Sequence, residues 1–329
     1  MFKILDSFTL ALIGTVTLAS LLPVHGQFAA LMDGVTTFAV ALLFFLHGAK
    51  LSREAVIAGA THWRLHLLVM ACTFALFPLL GLLLKPVLSP LVTPDLYLGI
   101  LYLCMLPSTV QSSIAFTSLA KGNVPAAICS ATASNLFGIL LTPLLVGMLV
   151  VHRDAGSQGW HSVLNIVEQL LLPFIAGQIA RRHIGRWVDK HKAMLKYVDQ
   201  GSILLVVYTA FSAAVYNGLW QQLPASALAG LALCCVVLLA VLLLATTLLS
   251  KKLGFNEEDR ITIMFCGSKK SLASGVPMAK VLFAGQSFGA LILPLMLFHQ
   301  IQLMVCAFLA QRYHQRYAER EAANAGAEA

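Results

Sequence analysis

Apolar runs of about 20 residues, the length that crosses a bilayer as a helix, recur along the whole chain. They fall near 8–24, 28–49, 64–84, 96–120, 123–151, 162–180, 198–216, 223–250, 259–284 and 287–311. The pattern predicts an all-α polytopic membrane protein with ten transmembrane helices. The longest polar stretch, 181–196, divides the runs five and five. The expected organisation is a first five-helix unit over 1–160, a second over 161–311, and a short tail over 312–329 whose composition predicts disorder. The first run could pass for a secretory signal, but "VHGQ" lacks a small-residue cleavage pattern, so it is read as a helix.

Two runs are interrupted by polar residues. The fourth reads "LYLCMLPSTVQSSIAFTSLAKG" and the ninth "ITIMFCGSKKSLASGVPMAKVL". Each has an apolar first half, a Pro or Gly beside a Ser, a polar knot and a second apolar half closing near an "AK" pair. Lys269 lies nine residues after Arg260, roughly 14 Å along a helix and so about half of a ~30 Å hydrocarbon core. Five helices per half is an odd number, which makes the two halves inverted repeats. Interrupted helices at matching places in such repeats are the best pointer in a sequence to a transport site.

Composition agrees. The chain of 329 residues is 59% apolar and 11% charged, where a soluble domain carries roughly 25% charged residues. Its net charge of +8 would suggest nucleic acid in a soluble protein. Here it follows the positive-inside bias of cytoplasmic loops. With the N-terminus inside, 17 Lys and Arg fall on the cytoplasmic side and 3 outside, which places both termini in the cytoplasm. The seven cysteines lie almost entirely within apolar runs, without metal spacing. No carboxylate pair, zinc cluster or nucleophile with its base stands out, so an enzyme is not expected. No cofactor is expected either, and sodium is left as an open possibility.

The candidate chemistry centres on Lys269 and Lys270, flanked by Ser268 and Ser271. Ammonium groups are costly in hydrocarbon, and no Asp or Glu occupies the middle of a run except Glu168. A small anionic substrate could supply the counter-charge. Alternatively, a lysine could lie along backbone carbonyls as a plug. Gln111, Ser112 and Ser113 of the fourth run are expected to line the same cavity. His299, three residues before Gln302, is a candidate proton relay, with His47 behind it. Asp33 and Asp199 hold matched positions in the two halves. A channel or a non-transport membrane regulator remains the competing class.

These segments resemble the bile acid:sodium symporter family over essentially the whole ten-run region, most of all at "STVQSSIAFTSLAKGNVPAAICSATASNLFGILLTPLL". The resemblance implies a panel domain (runs 1, 2, 6, 7) against a core domain (3–5, 8–10), crossing broken helices, and sodium-coupled uptake of organic anions. It also implies a sodium site on the fifth run at Ser130, Thr132, Ser134 and Asn135. The ninth run departs from the family. Where sodium-coupled members carry "E-x-G-x-Q-N", this chain has "FCGSKKS", with Phe265 at the acidic position and Lys269 and Lys270 in place of the Gln-Asn pair. That variant is similar to a divergent bacterial branch, which implies an inner-membrane location. A fixed lysine could stand in for a sodium charge or neutralise an anion.

Overall fold

A computed structural model describes residues 7–50, 62–149, 158–283 and 289–327. They form α1 (Ser7–Leu21), α2 (Gly26–Lys50) and α3 (Trp63–Leu83), then α4 (Pro94–Cys104), α5 (Gln111–Leu119) and α6 (Val124–Leu149). The second half holds α7 (Gln158–Lys190), α8 (Lys192–Tyr216), α9 (Ala225–Lys252), α10 (Glu257–Gly267), α11 (Leu272–Leu282) and α12 (Gly289–Ala327). The described residues contain no strand. Six helices (α2, α3, α6, α8, α9 and α12) are long and apolar enough to cross a membrane by themselves. Large apolar side chains such as Phe38, Leu83, Leu244 and Phe308 face outward. An apolar exterior around internally bonded helices is what hydrocarbon demands, and the chain is a multi-pass membrane protein.

The fourth and ninth apolar runs are each split in two, and local chemistry explains both splits. Pro107 lacks an N–H and disfavours helix at the residue before it, so α4 stops at Cys104 and α5 restarts at Gln111. In the ninth run α10 ends at Gly267. Ser271 takes extended backbone angles and caps α11, its hydroxyl accepting from the Ser274 amide at 3.2 Å. The outer ends are capped as well. Thr93 accepts from Leu96 N ahead of α4, and Asn256 accepts from Asp259 N ahead of α10.

Two stretches differ from the sequence reading. The polar segment after Ala180 is not a loop, because α7 continues through it to Lys190 and only His191 separates it from α8. The tail expected to be disordered continues α12 to Ala327. Its Gln, Arg, Glu and Ala residues are good helix formers, and neither Pro nor capping Gly stops the helix earlier.

Helices α1, α2, α7 and α8 pack as one group: α2 lies along α7 and α8, and α1 lies along α8. The α2–α7 contact is unusually close. A Cβ at Gly48 would fall 2.0 Å from the Phe174 carbonyl oxygen, and one at Gly177 would fall 1.9 Å from that of Phe45. Without a hydrophobic driving force inside lipid, such backbone approach is how helices gain packing energy. The remaining helices form the second group, in which α4 packs on α12 and α10 packs on α3, α5, α6 and α9. The two breaks meet inside this second group.

Candidate functional site: the crossing of two broken helices

The freed backbone of each break is satisfied by the other. Ser271 N donates to Pro107 O at 2.9 Å, Ser108 Oγ to Cys266 O at 2.6 Å, and Tyr102 Oη to Gly275 O at 2.6 Å. Helix α6 fastens the crossing from the side. Ser134 Oγ accepts from Ser108 N at 3.0 Å, Asn135 Nδ2 donates to Ser108 O at 2.7 Å, and Thr142 Oγ1 donates to Met105 O at 2.9 Å. Asn135 Oδ1 accepts from Ser274 Oγ at 2.6 Å, tying α6 to α11.

Both lysines of the ninth run are wholly buried. Lys270 Nζ donates to the carbonyls of Thr73 (2.8 Å), Cys104 (2.8 Å) and Leu106 (2.6 Å), with the Phe77 ring 4.0 Å away. An ammonium has three donors, so every one is used. Cys104 and Leu106 sit at the C-terminal end of α4, where a helix carries partial negative charge. Thr73 lies in a π-helical turn of α3, Cys72–Leu76. Such a turn shifts the i→i+4 register, and here Thr73 offers its carbonyl to the lysine. Gln302 of α12 grips the backbone of the same residue from both sides, accepting from Lys270 N and donating to Lys270 O, each at 2.9 Å.

Lys269 has a different cage. Its Nζ donates to Ser112 O at 2.9 Å and faces the rings of Phe116 at 3.9 Å and Phe265 at 5.2 Å. Desolvated cation–π contacts of this kind are worth about 2 kcal/mol or more. Neither lysine takes part in an ion pair among the described residues. Their charges are met by carbonyl dipoles and aromatic faces.

The other expected residues divide into braces and cavity walls. Ser268 Oγ donates to Met264 O at 2.6 Å within its own helix. Ser112 and Ser113 share Thr109 Oγ1 at 2.7 and 3.0 Å, and Ser113 also reaches Phe265 O. Ser130 Oγ meets His66 Nδ1 at 2.6 Å. Gln111, Thr132 and Asn135 line a cavity of about 360 Å³ between the two helix groups. A recess of about 230 Å³ continues it toward the crossing, bordered by Ser112, Ser271 and His299. His299 Nδ1 lies 2.9 Å from Gln302 Nε2. The first turns of both α5 and α11 border this recess, so two half-helix N-termini, each carrying partial positive charge, face one space.

Opposite them the cavity is walled by Phe44, His47 and Lys50 of α2, Phe174 of α7, and Lys196 and Asp199 of α8. Lys50 and Asp199 form an ion pair. In the sequence Lys50 and Lys196 are two among the 17 cytoplasmic positive charges, and nothing in their spacing places them on this wall. The one usable signal was the matched position of Asp33 and Asp199. Among the described residues no group of three or more His, Cys, Asp or Glu could hold a metal ion. Of the four residues that the resemblance assigned to sodium, Ser134 and Asn135 are bonded to the backbone of the fourth-run break and Ser130 to His66, while Thr132 borders the cavity.

Comparison with known proteins agrees with this architecture. Residues 6–315 match the SBF-like CPA transporter family. The chain is 65% identical to an uncharacterized protein of Pseudomonas aeruginosa, covering 98% of this chain and 97% of that one. It is 55% identical to YfeH of Escherichia coli over 98% and 97% of the two chains. With sodium/bile acid cotransporter 7 of Rattus norvegicus it shares 30% identity over 84% and 82%. A match across nearly the whole chain, joined to a multi-pass helical fold with crossing breaks, settles the kinship: this chain belongs to the SBF-like CPA transporter family.

Proposed function

We propose that the protein is a secondary transporter of organic anions that works by alternating access, with fixed lysine ammonium groups where a coupled transporter would bind its cation. The observation that carries this reading is the cage around Lys270: three converging backbone carbonyls at 2.6–2.8 Å, in the crossing of two broken helices. Unwound carbonyls and half-helix C-termini hold cations in such transporters, and here a tethered cation fills the position. Neither lysine lines the cavity, which favours the surrogate role over direct contact with substrate. Transport on this account does not need sodium, although the animal relatives' name, sodium/bile acid cotransporter 7, mentions it.

Several features support the rest of the reading. Exchanging the two halves pairs several of the helix contacts: α1 on α8 with α7 on α2, and α4 on α12 with α10 on α6. This partial correspondence supports inverted five-helix repeats, with α1, α2, α7 and α8 as panel and the other helices as core. Both half-helix N-termini and the walls' Lys50 and Lys196 favour an anion, while Phe44, Phe174 and Leu136 favour an apolar body. The wall holding Lys50 and Lys196 is the basic face, which the positive-inside rule assigns to the cytoplasm of the inner membrane. On this reading the cavity faces the cytoplasm.

The test is uptake of a radiolabelled amphipathic anion such as taurocholate, with dicarboxylates in parallel, into proteoliposomes containing sodium or choline. Saturable uptake equal in both salts supports the reading. Uptake that requires sodium sinks the surrogate role, and unsaturable flux points to a channel. A second reading, proton linkage, is favoured by His47 and His299 on the cavity walls. Acceleration by an imposed proton gradient would support it.

A further inference from the structure

Alternating access needs a closure at each face, and the chain displays one of them. Asp33 of α2 is paired with Lys280 of α11. This bond joins the two helix groups at the face away from the cavity's basic mouth, and the Lys280 side chain is only 14% exposed. The following step rests on the inverted-repeat reading above.

Under exchange of halves α2 maps onto α8 and α11 onto α5. Asp33 is the eighth residue of Gly26–Lys50 and Asp199 the eighth of Lys192–Tyr216, helices of 25 residues each. The two carboxylates are therefore counterparts. The counterpart of Lys280 is Lys121: each follows an alanine, and each stands at the far end of the second half of a broken helix. The pair equivalent to Asp33–Lys280 is thus Asp199–Lys121. It is not formed here. Asp199 uses Oδ2 on Lys50 of its own helix group, while Oδ1 is buried without a hydrogen-bond partner. Lys121, held at φ +60° just past α5, rests over the Tyr317 ring of α12 at 5.6 Å. Asp199 faces the open cavity. Among the described residues, one acceptor lacks a donor, and one cation rests on an exposed aromatic face.

We propose that Lys121 and Asp199 are the inner closing pair of the transport cycle. When the cavity closes, Lys121 leaves Tyr317 and donates to Asp199 Oδ1, while Lys280 and Asp33 separate at the other face. Each state keeps one inter-group ion pair. The exchange therefore holds the two conformations near balance, so that bound substrate can shift them.

The test uses the full chain in membrane vesicles, with Lys121→Cys and Asp199→Cys combined and the seven buried native cysteines as background. A short bifunctional thiosulfonate is the cross-linker. Leu136→Cys on the cavity wall reports access to a membrane-impermeant maleimide added from either face. The expected result is that the 121/199 pair cross-links and that the cross-link abolishes labelling of position 136 from the basic face. Asp33→Cys with Lys280→Cys should cross-link and leave that labelling intact. Because cysteines remove the charges, a second variant tests the pairing itself. Asp199→Lys should raise labelling from the basic face about threefold, the effect of one partly exposed ion pair, and adding Lys121→Asp should reverse it. Absence of the 121/199 cross-link, while position 136 still alternates between faces, overturns the pair and leaves the transporter reading standing. Labelling from one face only, in every condition, overturns alternating access and this proposal together.

Discussion

Replacing Lys270 with alanine is the perturbation that the cage geometry makes most informative. The substitution leaves three buried carbonyls, those of Thr73, Cys104 and Leu106, without their donor. Each unsatisfied buried group costs about 1–3 kcal/mol, a gross loss of about 3–9 kcal/mol. Against this stands relief from burying an ammonium, itself several kcal/mol. The side chain also gives up its contact with the Phe77 ring at 4.0 Å and leaves a void. The net expectation is a destabilisation of about 2–5 kcal/mol, read as a clear fall in melting temperature in detergent by tryptophan fluorescence. The discriminating step is to add salt. An empty cage of three carbonyls beside a helix C-terminus is a cation site, so sodium at equal ionic strength should raise the variant's melting temperature above its value in choline. At about 100 times the dissociation constant the gain is roughly 2.7 kcal/mol. The parent protein, whose cage is already filled, should show no such difference. A variant as stable as the parent and blind to sodium would mean instead that the carbonyls need no cation.

Further expectations follow from the same geometry. Gln302→Leu removes both side-chain bonds to the Lys270 backbone, each 2.9 Å long, and should lower stability by about 2–4 kcal/mol by the same melting assay. Gly177→Ala forces a methyl to within 1.9 Å of Phe45 O; it should part α2 from α7 and cost about 1–3 kcal/mol or more, whereas Gly14→Ala, with open space around it, should be neutral. Lys196→Glu reverses a charge on the cavity wall and should reduce anion uptake several-fold with little change in melting temperature. Lys269→Met removes a cation held 3.9 Å from the Phe116 ring and should cost about 1–3 kcal/mol without creating a sodium response, because only one carbonyl converges there.

The helices were legible because hydrocarbon imposes a length and an apolarity that few other structures share. The breaks were legible because Pro107, Gly267 and Ser271 are residues that end or start helices. The partners of the lysines were not. Two of the Lys270 acceptors lie at the end of α4, but the third depends on the π turn at Cys72–Leu76, and "CTFAL" carries no sign of it. Lys50 and Lys196 were hidden for another reason: among so many basic loop residues, a sequence does not tell which ones turn toward a cavity. Asp199 was visible as the counterpart of Asp33, yet its role depends on helices that lie far apart in the chain. The tail was misread because polarity without a breaker looks like disorder, while a helix already under way needs only good helix formers to continue.

If Lys270 occupies the position of a cation, the parent protein has no room there for a free one. Equilibrium binding of radioactive sodium to the purified parent protein, beside Lys270→Ala, tests it most directly. The expected result is no saturable sodium binding to the parent and saturable binding, near one ion per chain, in the variant. Saturable, stoichiometric sodium binding to the parent, unaltered by removal of the lysine, would contradict it.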